Sequence, residues 1–555
     1  MDATRPDRLR IPLGQPLTLL AALAYLNAVL NMDAALPGQP WVSFLRLSPE
    51  LLLLAIAMGL RVRRDTRFRP ARYAPVAAAV IFLGLFRLAD ALVPTVFNRP
   101  FNLYLDARHL PDLLRFGWML LSPAVFAMAL AGFALALPSM AWGVLRSLKI
   151  LHGGLAATGR KPLLSCLAAG LIAAGAWSGI RPHDPPAWLG SAALPRLAEE
   201  IRAILDLDGI RRRDQAAIDA AIERSRGTPT NLNALNRTPV FFFVVESYGQ
   251  TVFSEPDHAA RVAPVVKAVE TDLRSAGFGM CSAYLASPTF GGTSWLAHGT
   301  LASGVRLDSQ TRHDLLLGSD LTPLAEYFNR AGYRTVCAMP GTLWPSPAGK
   351  FFRFQRTYNA ADFAYKGPDF AWAPMPDQYV LGWIYRQEIQ HASAPLWVEF
   401  ILVSSHAAFD VQAPYVGDWQ RLGDGSLFHS LPALTFPGAW SDPSKLAEAY
   451  SAAVAYEFTV LSGFIRGFLA GNELVVIMGD HQPCAPVRGT SASWSVPVHV
   501  ISRNPDAIRK FVQRGYTEGL IPGQAPPHPG METFFWNFLE DFSEPDPGAK
   551  PAASN

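Results

Sequence analysis

The 555-residue chain is 50% hydrophobic and only 17% charged, too long for one compact core and too apolar for an ordinary soluble enzyme. Its 48 basic and 45 acidic side chains nearly cancel, leaving +3, and that balance gives no case for a nucleic-acid partner. Cys166, Cys281, Cys337 and Cys484 make neither a CxxC pair nor a disulfide framework, although a Cys281–Cys337 bridge on neighbouring strands is chemically allowed in an oxidising compartment.

The apolar excess is concentrated in the first third. A bilayer core needs about 20 apolar residues per helix, and segments of that kind run from Leu17 to Leu36, Tyr73 to Val93, Phe116 to Leu137 and Leu163 to Ile180. A weaker fifth, Val42 to Leu60, contains Arg46 and Glu50. Counting it gives about five spans. The basic side chains then cluster in the supposed inner segments, around Arg5 to Arg10, Arg61 to Arg72 and Arg146 to Lys161, whereas the outer loops hold only Arg46, Arg99, Arg108 and Arg115. That asymmetry puts the N-terminus in the cytoplasm and everything after Ile180 outside. The short basic stretch before the first span is followed by no small-residue cleavage site, so the span reads as an uncleaved anchor. Arg87 and Asp90, three apart in the Tyr73 to Val93 span, read as an internal ion pair or as a grip on a lipid head group.

The expected organisation is a transmembrane anchor over 1–180, a juxtamembrane helical linker over 181–238, an α/β catalytic domain over 239–545 and a disordered tail over 546–555. Two amphipathic patterns, Leu194 to Leu207 and Arg212 to Arg224, form the linker and suit a bilayer surface. After it, β-rich runs at Phe241 to Val245, Met280 to Leu285, Thr335 to Met339, Leu396 to Val403, Leu474 to Met478 and Val496 to Ile501 alternate with helical stretches. This pattern predicts a mostly parallel central sheet covered by helices.

Ligands collect at the carboxyl ends of such strands. There the chain carries Glu246, Ser404-Ser405-His406 and Gly479-Asp480-His481, while Gly291-Gly292-Thr293-Ser294 opens a helix after another strand. Each is ordinary alone: a strand-end Glu is commonly ion-paired, an Asp-His pair caps a turn, Gly-Gly-Thr-Ser is a loop with a helix cap, and Ser-Ser-His holds a hydrogen-bonded histidine. Their joint appearance at successive strand ends is not ordinary. Glu246, Asp480 and His481 offer two carboxylates and an imidazole to a divalent cation, which would give the Thr293 hydroxyl a nucleophile's character. Two glycines before Thr293 let the backbone approach an anion at a helix N-terminus, and His406 would hydrogen-bond or protonate a substrate oxygen. His298, His313, His391 and His499 read as packed or hydrogen-bonded side chains outside the site.

Val-Val-Glu246-Ser, Gly-Gly-Thr293-Ser, Ser-Ser-His406 and Gly-Asp480-His481 resemble, in order, the motifs of the alkaline phosphatase and sulfatase superfamily. The nearest branch is the membrane-anchored lipoteichoic acid synthases and related phosphoglycerol transferases. The resemblance covers nearly the whole chain. It implies a sulfatase-like domain outside a bacterial cytoplasmic (inner) membrane on a multi-pass anchor, and one divalent ion, Mn2+ or Mg2+ with Zn2+ or Ca2+ also compatible, held by Glu246, Thr293, Asp480 and His481. It also implies a covalently loaded Thr293, substrate contacts from His406, Trp344 and Arg353, a membrane phospholipid donor and an envelope glycan or lipid acceptor. Transfer of phosphoethanolamine, hydrolysis of phosphate or sulfate esters, and a catalytically silent envelope-polymer binder stay open as alternatives. Cys484-Ala485-Pro486-Val487-Arg488 spells the sulfatase formylglycine pattern, but it follows the Asp-His pair, whereas sulfatases carry it early, where Thr293 stands here.

Overall fold

The computed structural model describes residues 14–36, 39–62, 67–108, 123–158, 188–190, 192–343, 348–469, 471–489, 493–523 and 525–544. Two compact units divide the chain, Met1–Thr95 with Arg99–Leu207, and Val96–Asn98 with Asp208–Asn555.

In the first unit the helices are α1 Gly14–Leu30, α2 Pro49–Arg61, α3 Pro70–Phe97, α4 Pro123–Thr158 and α5 Ala193–Leu205. Pro70–Thr95 and Pro123–Ala156 are long and apolar enough to cross a membrane, and Pro16–Leu30 is a shorter apolar helix. The Val42 to Leu60 segment is not one helix: a 3-10 turn at Trp41–Leu45 stops before Pro49, which opens the 13-residue α2. At 1.5 Å per residue α2 spans about 20 Å, short of a bilayer core of about 30 Å. Five spans, and the orientation drawn from their parity, are therefore not borne out among the described residues. Leu163 to Ile180, Cys166 and the expected 546–555 tail lie outside them. α4 also carries Arg146 and Lys149, expected in a loop.

Several charges in this unit have partners. Arg87 binds Asp33 at 3.0 Å and Asn31 at 2.8 Å rather than Asp90, which instead pairs with Arg196 at 3.1 Å. Buried Glu50 accepts the Ala193 and Leu194 N–H groups at 2.6 and 3.2 Å, capping α5 from a distant part of the chain.

The second unit begins with α6 Leu207–Gly227, the second linker helix, which buries Ile218 and Ala221 in the domain core and fixes Asp214 to Arg312 at 2.8 Å. Strands β1 Val240–Val245, β2 Gly279–Ala286, β3 Arg334–Met339, β4 Arg356–Asn359, β5 Leu396–Leu402, β6 Leu474–Gly479, β7 Ser495–Ser502 and β8 Thr517–Glu518 form one sheet in the order β8-β2-β7-β6-β1-β5-β3-β4. β1 to β6 run in one direction. Only β7 and β8 oppose them, because a short connection, not a crossover helix, follows β6.

Every residue of β1 is buried, as expected for a sheet covered on both faces. Phe241, Phe243 and Val245 pack under α7 Pro256–Ser275 and the long helix at Pro443–Phe468; Val240, Phe242 and Val244 face α8 Ser294–Ser303 and the C-terminal helix at Glu532–Phe542. Cys281 on β2 and Cys337 on β3 are separated by four strands and are free thiols, so the allowed bridge does not form.

Candidate metal and nucleophile site

The β1 register pairs Val245 with Gly479 on one side and Leu402 on the other. Glu246 and Asp480 therefore leave the sheet side by side, with the Ser404-Ser405-His406 turn next to them. A Cβ on Gly479 would lie 1.8 Å from the Tyr248 carbonyl oxygen, so only glycine lets the Glu246 turn fold this closely over β6.

Glu246, Asp480 and His481 are 7%, 1% and 1% exposed, and one ligand atom from each lies within 4.8 Å of the others. Asp480 Oδ1 accepts the Ser247 and His481 N–H groups at 2.7 and 2.6 Å, while its buried Oδ2 has no hydrogen-bond partner among the described residues. His481 Nδ1 meets the Gln482 carbonyl at 2.8 Å, which turns Nε2 toward Glu246 Oε1 at 3.4 Å and Asp480 Oδ2 at 3.5 Å. A carbonyl that takes the Nδ1 proton and leaves Nε2 free is the usual support of a metal-binding histidine. Burial raises the Asp480 carboxyl, Glu246 adds to it, and the result is about 8. Burial opposes charge on His481, but Asp480 and Glu246 outweigh it and raise the imidazole to about 9. Burial would also raise Glu246; His481, with help from His406 and Asp480, holds it well below the ordinary carboxylate range. Buried carboxylates with an unmatched oxygen fit a divalent cation.

Thr293 stands at the N-terminus of α8 in the left-handed region, φ 59°, after Gly292 at φ 144°. Its loop is held against the cluster by Ser287 Oγ donating to the Asp480 carbonyl at 2.6 Å and by the Gly291 N–H on the Gln482 carbonyl at 3.0 Å. Thr293 Oγ1 is bonded to Thr289 Oγ1 and to the Gly292 carbonyl. Of the two adjacent hydroxyls the one within reach of the cluster is that of Ser294, 3.0 Å from both Glu246 Oε2 and His481 Nε2, while Ser247 Oγ donates to Glu246 Oε1 at 3.0 Å. Sequence reasoning quoted Ser294 only as part of the motif. Two adjacent hydroxyls give no sign of which one faces the cluster until the φ of Thr293 is known.

His406 stacks on Trp372 with ring centroids 3.9 Å apart and acts electrostatically on Glu246, so it is at the site. His298 is there too: burial lowers it to about 4 against the pull of Glu246, and its Nδ1 has no partner among the described residues. Its position one turn beyond Ser294 was the available signal. Arg353 is not brought in. Its carbonyl accepts from Asn329, and it precedes β4, which enters the sheet beside Val336 near the start of β3, at the edge opposite the cluster. Trp344 lies outside the described residues. Cys484 begins the short Ala485–Arg488 helix, with its thiol raised to about 11 by burial.

No family model and no curated protein matches the chain. Solved structures similar to it include the lipoteichoic acid synthase LtaP from Listeria monocytogenes, at 13% identity over 55% of this chain and 72% of that one, with a TM-score of 0.37. The C-terminal periplasmic domain of the phosphoethanolamine transferase EptC from Campylobacter jejuni is 10% identical over 56% and 96%, TM-score 0.37. The phosphoglycerol transferase GacH from Streptococcus pyogenes, in complex with sn-glycerol-1-phosphate, is 11% identical over 59% and 92%, TM-score 0.35. Their names fall within the superfamily that the sequence motifs resemble; likenesses this distant carry no argument, and the chemistry rests on the chain's own residues.

Proposed function

We propose that the second unit is a divalent-metal-dependent phosphotransferase of the alkaline phosphatase and sulfatase type, moving a phosphoglycerol-like head group from a membrane phospholipid to an envelope acceptor. The carrying observation is the buried Glu246, Asp480 and His481 cluster, with Asp480 Oδ2 unmatched, beside two hydroxyls at a helix N-terminus. Glu246, Asp480 and His481 would hold the ion, joined by Thr293 once its side chain turns from Thr289; when bound, the ion supplies charge to stabilise a deprotonated hydroxyl and the phosphoryl oxygens.

The Thr293 hydroxyl loses its proton as Oγ1 attacks the donor phosphorus, the bond to diacylglycerol breaks, and the leaving oxygen takes up that proton. An acceptor hydroxyl then attacks the phospho-threonine, loses its proton, and frees Thr293. The N–H groups opening α8 face the phosphoryl oxygens. His406 Nδ1–H donates to the Ala407 carbonyl at 2.5 Å, leaving Nε2 as an acceptor that takes a proton from the attacking hydroxyl and then hands it to the leaving oxygen. The long apolar helices Pro70–Thr95 and Pro123–Ala156 suit an anchor in a bacterial inner membrane, where a lipid donor is met with the catalytic unit outside.

Incubation with defined phospholipids tests the reading. A head group found by mass spectrometry on the Thr293 peptide, absent from Thr293→Ala, supports it; a Thr293→Ala protein that still turns over defeats it. Release of free head group without an acceptor would instead favour hydrolysis, and preference for phosphatidylethanolamine would favour phosphoethanolamine transfer.

A further inference from the structure

Behind the His406 turn lie two carboxyl groups that the chemistry above does not use. Asp377 begins the helix Asp377–Ile384, Glu457 sits in the middle of Pro443–Phe468, and both are 0% exposed. Asp377 Oδ2 accepts the Val403 and Ser404 N–H groups at 2.7 and 2.6 Å, and the Asp377 N–H donates to Ser404 Oγ at 3.0 Å. Asp377 Oδ1 and both Glu457 oxygens have no partner of good hydrogen-bond geometry among the described residues, although the Ser404 and Ser405 amides lie near enough to act on Glu457. They face each other closely enough to hydrogen-bond. Two bare carboxylates in that position would repel at low dielectric, and neither has a cation partner among the described residues; one proton between them removes the repulsion and supplies a donor.

The turn they grip is part of the site. Ser405 Oγ donates to the Glu246 carbonyl at 2.6 Å, and the His406 N–H closes on the Val403 carbonyl at 3.0 Å. We propose that Asp377 and Glu457 share a single proton and act together as positioning residues, holding the Val403 to His406 turn so that it braces Glu246 and presents His406. The role in turnover rests on the proposed phosphotransfer; the shared proton does not.

Burial raises both carboxyls, and the charge of Asp377 raises Glu457 further, so the shared proton is held beyond the ordinary carboxylate range and leaves only as pH rises. Among the described residues, the other groups acting on the pair are the buried Tyr456 hydroxyl and the amides of Val403, Ser404 and Ser405, with Tyr365 beyond Tyr456, and none of these carries a positive charge. Glu457→Gln puts an N–H where the proton sits, whereas Asp377→Ala removes the acceptor of two turn amides.

The full-length protein in detergent, wild type and both variants, is examined by infrared spectroscopy, by amide hydrogen exchange of the 403–406 segment, and by kcat against pH. The wild type should show a protonated-carboxyl band that Glu457→Gln lacks. Exchange of the turn should accelerate at alkaline pH in the wild type, beyond the intrinsic rise, and stay slow in Glu457→Gln. In Asp377→Ala it should be fast at every pH, with kcat about tenfold lower or more at unchanged metal content. Glu457→Gln should keep wild-type kcat at neutral pH and extend it to higher pH. An identical infrared spectrum in wild type and Glu457→Gln, or an equally fast-exchanging turn in Glu457→Gln and Asp377→Ala, would overturn the proposal. Should no phospholipid turn over, the infrared and exchange results still decide it, and the failure belongs to the functional reading alone.

Discussion

The Glu50, Arg87 and Asp90 contacts of the first unit differ in kind from the Glu246, Asp480 and His481 cluster of the second. In the first, Glu50 is satisfied by the amides of α5, Arg87 by Asp33 and Asn31, and Asp90 by Arg196, so each charge closes a local contact. In the second, Asp480 keeps one oxygen unmatched, and Glu246 and Asp480 share a single imidazole. A charge whose partners are all present stabilises a fold; a charge left short of partners favours the arrival of something else.

The comparison breaks most sharply at the nucleophile and its ligands. Thr293→Ala and Asp480→Asn should each lower phospholipid turnover by ~10^3-fold or more, measured by release of labelled head group, with metal content lost only in Asp480→Asn. Loss of a ligand without loss of turnover would remove the distinction between the units.

Next comes pH. With no ion bound, Asp480 at about 8 and His481 at about 9 hold protons where the cation would sit. Binding expels them, so affinity should climb as pH rises and level off above about 9, falling by roughly tenfold per pH unit for each proton displaced below that. Calorimetric titration with Mn2+ in buffers of different ionisation heat reads both the affinity and the released protons. Proton-independent affinity would mean that these groups are not the ligands.

Gly479→Ala sharpens the geometric half of the account. The added methyl meets the Tyr248 carbonyl, so denaturant unfolding of the second unit should show a loss of about 3 kcal/mol, and metal binding should weaken with it. The smallest effect is expected in the first unit: Glu50→Ala removes the acceptor of two α5 amides and should cost about 1–2 kcal/mol, seen as earlier proteolysis of α5 in detergent, with turnover of the second unit unchanged.

The strands of the site were legible because each is a short apolar run ending in a polar residue, and the β1 register then follows from the parallel sheet. Strand order was not legible, which is why Cys281 and Cys337 seemed able to meet. Hydropathy alone did not register that the Trp41–Leu45 turn stops short of Pro49, where α2 begins. Ser294 escaped notice because a backbone angle, not a side-chain type, aims its hydroxyl, and the Asp377–Glu457 pair because two carboxyls 80 positions apart meet only in three dimensions.

Diffraction from crystals grown with Mn2+, recorded at the manganese absorption edge, tests the central claim most directly. The account predicts one anomalous peak within bonding reach of Glu246, Asp480 and His481, with Thr293 Oγ1 turned toward it. A fully active protein whose manganese lies elsewhere, with those three side chains unliganded, would contradict it.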